Sequence, residues 1–136
     1  MGDDDQRVRL AVVGAHLAGE VLHYQLSDRG ATLVAETTTA PTYKLFALAT
    51  DPPKPGLVRV GAGDARASAI EVEVWELEPA AFASFVDEIP APLGIGRIVL
   101  ADGTDVAGFI CEPIALADGA VDITRYGGWR AYLAHP

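Results

Sequence analysis

Apolar and polar positions divide this chain into short segments of two kinds. Val8 to Val13 (VRLAVV) is a mostly apolar run ended by Gly14, the pattern of a buried strand. Ala31 to Thr38 (ATLVAETT) is enriched in Thr and Val and reads as a strand until Ala40-Pro41 breaks it. Tyr43 to Ala49 (YKLFALA) reads the same way. In Asp51-Pro52-Pro53-Lys54-Pro55-Gly56 the prolines fix φ and remove donors, which predicts a stiff turn, with a short strand from Leu57 to Val60 after it. Ala69 to Leu77 (AIEVEVWEL) alternates apolar and acidic residues. It predicts a half-buried strand with Ile70, Val72, Val74 and Leu77 or Trp75 inward, and Glu71 and Glu73 in water.

The remaining segments are helical or turn-like. Glu78-Pro79 starts a helix with proline at its first position; it runs to about Val86, before Pro90 and Pro92. Ile95 to Leu100 and Val106 to Glu112 flank Ala101-Asp102-Gly103-Thr104, a hairpin signal. Asp118-Gly119 is another turn, and Tyr126 to Ala134 reads as a short C-terminal helix. Leu17 to Gly30 is a helical turn or an irregular connection, with Gly19 weakening the helix. The sum is an α+β chain of about six or seven strands and two or three short helices, in a curled mixed sheet or small barrel.

Composition narrows this picture. The length of 136 residues fits one domain, expected over residues 8–136 behind a disordered acidic lead at 1–7. Half of the residues are apolar, so a core is available without disulfides or metal. The single cysteine, Cys111, forms no internal bridge, which suits a reducing compartment. No apolar run approaches the roughly 18 residues of a membrane span, and MGDDDQ is not the start of a signal peptide. A cytoplasmic protein with no membrane partner is expected. The net charge of −9 repels a phosphate backbone, so nucleic acid is not an expected partner either.

Candidate chemistry concentrates at Val13-Gly14-Ala15-His16-Leu17. A glycine after a strand permits a conformation or a close approach that other residues do not. Successive N–H groups there form an anion nest, and His16 gains or loses a proton near neutral pH. The bland alternative, a turn glycine and a satisfied histidine, stays open on pattern alone. Gly61-Ala62-Gly63 and Gly94-Ile95-Gly96 are too little for a phosphate or dinucleotide motif, so no cofactor is expected. His16, His23 and His135 sit in no metal array. There is no nucleophile elbow, and Cys111 reads as an inert thiol in an apolar strand. Arg97, Arg125 and Arg130 lie near glycine-rich stretches. Asp122, before Ile123-Thr124, either turns the chain or orients a histidine.

Several blocks together resemble the C-terminal domain of allophanate hydrolase. They are Val13 to Leu17, Thr39-Ala40-Pro41-Thr42-Tyr43, Pro53-Lys54-Pro55-Gly56-Leu57, IEVEVWEL from Ile70 to Leu77, Ile89-Pro90-Ala91-Pro92-Leu93-Gly94-Ile95-Gly96, and Tyr126-Gly127-Gly128-Trp129-Arg130-Ala131-Tyr132. The resemblance implies a γ-glutamylcyclotransferase-like fold as a stand-alone copy, without the amidase half that precedes this domain in the family. It also implies decarboxylation of N-carboxycarbamate, the amidase product, in urea and allophanate nitrogen metabolism. His16 matches the family's catalytic histidine. Asp122 is expected to orient it, and Gly14, Ala15, Leu17, Tyr43, Gly94 and Ile95 to hold substrate. A separate amidase subunit and a homodimer are the partners it leaves open. The cyclotransferases' acid/base glutamate falls at Ile89, with Glu88 one residue off. That departure argues against the first alternative, a γ-glutamylamine-type cyclotransferase. The second alternative is a non-catalytic module that binds small carboxylates, or an accessory subunit of a separate amidase.

Overall fold

The computed structural model describes residues 6–61 and 63–135. The strands are β1 (Val8–Val12), β2 (Thr32–Thr38), β3 (Tyr43–Leu48), β4 (Lys54–Arg59), β5 (Glu71–Leu77), β6 (Leu93–Val99), β7 (Asp105–Cys111) and β8 (Val121–Asp122). The helices are α1 (Tyr24–Ser27), α2 (Pro79–Asp87) and α3 (Trp129–Leu133). The strands form a five-stranded sheet in the order β2-β5-β1-β7-β6 and a three-stranded sheet in the order β4-β3-β8. β1 is antiparallel to β5 and parallel to β7, so the larger sheet is mixed, as expected. Among the described residues eight strands make two open sheets, so of the two expected forms the mixed sheet holds and the closed barrel does not.

The central place of β1 explains its composition. A strand flanked on both edges and covered on both faces needs an unbroken apolar run, and Leu10, Ala11 and Val12 have no exposure. Around them pack Leu17, Leu26, Leu45, Leu57, Ile70 and Ile98, with Phe85 pressed in from α2. α2 begins with Glu78 as its N-cap and Pro79 in its first turn. The hairpin between β6 and β7 turns at Asp102-Gly103, with Asp102 Oδ1 accepting from the Thr104 N–H at 2.9 Å.

Four expectations are corrected. The proline-rich segment is not only a turn. β4 starts at Lys54, and Pro55 and Gly56 pair with Ala47 and Phe46; β4 is an edge strand, where a missing N–H is tolerated. Glu73 does not face water but is only 2% exposed, because the loop after β1 and the chain at Arg130 close over it. The C-terminal helix is cut at Gly127, whose φ of 76° belongs to the left-handed region, so α3 starts only at Trp129. Arg7, expected within the disordered lead, pairs with Glu78 at 3.2 Å, while residues 1–5 of that lead lie outside the described residues. No helix among the described residues is long and apolar enough to cross a membrane.

The two sheets approach closely where β1 ends. A Cβ on Gly14 would lie 2.2 Å from Cγ and 2.3 Å from Cδ of Pro55. Gly14 is therefore required for close approach, not for a left-handed backbone. The pyrrolidine ring has no rotamer with which to yield. Gly14→Ala is expected to destabilise the domain by about 1–3 kcal/mol, as overpacking does. An unchanged urea midpoint for that variant would contradict this packing.

Candidate functional site

The chain after Val12 makes no regular element until α1. It turns at once, with the Leu17 N–H donating to the Gly14 carbonyl at 2.9 Å. The N–H groups of Ala15 and His16 find no acceptor among the described residues. This turn forms one wall of a narrow cavity of about 20 Å³. Val13, Gly14, Ala15 and His16 line that wall; Lys54 and Pro55 of β4, Leu93 of β6 and Phe109 of β7 complete the lining. A void of that size holds little more than one water. A larger ligand enters by moving a side chain, and Lys54, with its four-carbon stem, has the most freedom to do so.

His16 is only 8% exposed and its ring is held from three sides. Phe109 stacks on it at 4.8 Å between centroids, with 17° between planes. Phe85 meets it edge-on at 5.2 Å. Its Nε2 lies 2.7 Å from Oε1 of Gln25 on α1. A neutral ring that donates from Nε2 to this oxygen keeps its lone pair on Nδ1. The His16 carbonyl accepts from Nδ1 of His23 at 2.9 Å.

Burial pushes the His16 pKa below 6.5; the Gln25 bond opposes this, and the charge of Lys54 and the neighbouring His23 add to it. The imidazole is therefore neutral at pH 7 in the free protein. Its proton affinity rises when an anion enters beside it, because the anion offsets both the burial and Lys54. Two nitrogen bases and no carboxylate line this cavity, although the chain as a whole carries a net charge of −9.

The expected site residues separate into those the fold brings here and those it does not. Gly14, Ala15 and His16 line the cavity. Leu17 is fully buried in the core and Tyr43 is 1% exposed. The Tyr43 hydroxyl accepts from the Val99 N–H at 2.9 Å, and Tyr43 is not among the residues that line the cavity. Gly94 and Ile95 lie in β6, but the residue of that strand in the lining is Leu93. Asp122 does not orient His16. Its Oδ1 accepts from the N–H and hydroxyl of Thr124 at 2.9 and 2.6 Å, the turn that was the other expectation for it. Burial pushes its carboxyl up, but the Thr124 bonds and the charges of Lys44 and Arg66 outweigh that and hold it below 3.8. It lines a separate, open groove of about 400 Å³ with Arg66, Ser68, Thr124 and Arg125. Gln25 takes the orienting position instead. Glu88 is paired with Arg29 at 2.6 Å at the surface, and Ile89 packs against the core.

Sequence reasoning missed Lys54, Leu93, Phe109 and Gln25. Lys54 stood inside a presumed turn, where a lysine between prolines carries no sign of a site. No group of three or more metal-binding side chains occurs among the described residues. Cys111 is half-buried in β7, and burial raises its pKa above 9.0, which keeps the thiol protonated.

A family model described as "Allophanate hydrolase C-terminal domain" matches residues 8–134. Urea amidolyase of Saccharomyces cerevisiae is 47% identical over 134 residues, which is 96% of this chain and 7% of that protein. The chain thus spans a small part of that relative's length. The crystal structure of allophanate hydrolase from Kluyveromyces lactis is 44% identical with a TM-score of 0.89, over 94% of this chain and 21% of that one. A uropathogenic E. coli-specific protein, c4763, is 35% identical with a TM-score of 0.84, over 96% of this chain and 98% of that one. An AIG2-like protein from mouse shares the fold alone, at 16% identity and a TM-score of 0.60 over 82% of this chain and 83% of that one. The fold is thus of the cyclotransferase-like class.

Two measurements check the electrostatics of the cavity. His16 is expected to titrate below 6.5 in the free protein by NMR, and higher in saturating malonate. The unfolded chain then binds more protons than the folded one below pH 6.5, so His16 lowers stability as pH falls through 6.5 toward its folded value. His16→Gln removes that part of the decline. Free and malonate-bound titrations that coincide at 6.5 would contradict both statements.

Proposed function

Because the chain belongs to the allophanate hydrolase C-terminal domain family, we propose that it is an enzyme of urea- and allophanate-type nitrogen metabolism. It decarboxylates a small N-carboxylated amide such as N-carboxycarbamate. The observation that carries this is the pairing of His16 with Lys54 in one cavity without a carboxylate. That lining suits a ligand with two negative charges. One carboxylate meets the free N–H groups of Ala15 and His16, and the other meets the Lys54 ammonium.

The chemistry follows from the charge. N-carboxycarbamate carries a carboxylate on each side of one nitrogen. Its C–N bond breaks with the electron pair left on nitrogen, which is a poor leaving group unless it gains a proton. His16 is neutral in the free protein and takes up a proton as the dianion enters. It then delivers that proton to the nitrogen, giving carbon dioxide and carbamate. General-acid catalysis of this kind is worth typically ~10²–10⁴-fold. Gln25 holds the ring while the proton moves, and Phe109 and Phe85 keep water away from it.

The cyclotransferase alternative loses support from Glu88, whose carboxylate is engaged by Arg29 at the surface and lies outside the cavity lining. In the cell, a separate amidase subunit in the cytoplasm is the partner this reading calls for, because it supplies the substrate.

His16→Ala is expected to lower turnover of N-carboxycarbamate about 10²–10⁴-fold with little change in KM. Lys54→Met is expected to weaken malonate binding roughly tenfold, the scale of one hydrogen bond to a charged group. Malonate binding with no turnover by the wild type would point to a binding module. Release of 5-oxoproline from a γ-glutamyl amine, lost in Glu88→Gln, would point to a cyclotransferase.

A further inference from the structure

We propose that Glu73 and Arg130 are positioning residues for His16, which clamp the backbone at Ala18 and so hold the turn that carries the imidazole in its cavity. The catalytic consequence rests on the reading of His16 given above. The clamp itself is a statement about geometry.

Both polar groups of Ala18 are held. Its N–H donates to Glu73 Oε1 at 2.9 Å, and its carbonyl accepts from Nη2 of Arg130. Nη2 of Arg130 also donates to Glu73 Oε2 at 3.0 Å, which closes a ring of three bonds around one peptide segment. The Trp75 indole donates to Glu73 Oε1 at 3.1 Å. The Trp75 ring also packs on His23 at 4.8 Å, and His23 holds the His16 carbonyl. The turn is thus fixed at residue 16 and again at residue 18, from β5 and from α3. Neither Glu73 nor Arg130 lines the cavity, so neither touches a ligand there.

The chemistry of position 73 argues for a fixed geometry rather than for stability. A buried carboxylate carries a desolvation penalty that an apolar side chain avoids, and its neighbours Val72 and Val74 are apolar and buried. The carboxylate remains ionised, because the Ala18, Trp75 and Arg130 bonds outweigh the burial that would push it up. Only an ionised acceptor with two oxygens serves the Ala18 amide, the indole and the guanidinium together. Arg130 is likewise specific. A lysine ammonium is a point charge on a flexible stem and does not reproduce a planar donor shared between the Ala18 carbonyl and Glu73.

Glu73→Gln, Arg130→Met and Arg130→Lys in the full chain test the clamp, with folding checked by circular dichroism. In folded variants Glu73→Gln and Arg130→Met are expected to weaken malonate binding roughly 2- to 30-fold, the range for coupling through packed neighbours. They are also expected to move the His16 titration toward 6.5 as water reaches a loosened turn. Arg130→Lys restores only part of either effect, and kcat falls more than KM rises. A folded variant with wild-type His16 titration and wild-type malonate affinity overturns the proposal and leaves the pair a role in stability alone. If Glu73→Gln does not fold, Arg130→Met decides, since Arg130 is partly exposed and the strand core is untouched. A wild type that binds malonate but decarboxylates nothing removes the functional reading while the titration still judges the clamp.

Discussion

The architecture of this domain turns on one steric contact, the ring of Pro55 lying where a side chain on residue 14 would be. The five-stranded and three-stranded sheets share no continuous ladder, so their relative placement at this end depends on packing. Gly14 removes the atom that would hold them apart. The consequences are local and exact in sequence terms: His16 lies two residues beyond Gly14, and Lys54 one residue before Pro55. Bringing Gly14 onto Pro55 therefore brings an imidazole and an ammonium to the same cavity. The stiffness of a proline ring helps, because the contact surface has no rotamers to lose.

The cavity and the surface have opposite electrostatic character. A chain with net charge −9 hides a cavity lined by two nitrogen bases and no acid. Burial, and after it the charge of Lys54, lower the proton affinity of His16. On the function proposed above, this couples the proton to the ligand, since the imidazole becomes a good acid when the group that needs the proton is present. Contacts hold it on two levels: Phe109, Phe85 and Gln25 on the ring, and His23, Glu73 and Arg130 on the backbone of its turn.

Much of the fold was legible in the sequence. Alternation over Ile70 to Leu77, the apolar run at Val8 to Val13 and the Asp-Gly turn gave their elements directly, and Gly14 with His16 was visible as the end of a first strand. The misses share a physical cause: each depends on what covers a residue from elsewhere in the chain. Period-2 alternation sends Glu73 to the face opposite Val72, but it does not reveal that the loop after β1 and Arg130 close over that face. Three prolines announce a turn, yet the third, Pro55, lies inside edge strand β4, which begins at Lys54. Tyr43 is packed into the core with its hydroxyl at the β6 backbone of Val99, away from the cavity lining, and Asp122 serves its own turn rather than a distant ring. Gln25 and Phe109 carry no sequence mark, because their importance is only that they touch His16.

The central claim is that His16 delivers a proton to the nitrogen of a small dianion held in this cavity. The direct measurement is the rate of labelled carbon dioxide release from N-carboxycarbamate, generated in place from labelled allophanate by a separate amidase. The account predicts that the wild-type protein accelerates release over the amidase alone, and that folded His16→Ala returns it to that background. Release at the wild-type rate by His16→Ala, or no acceleration by the wild type, would contradict it.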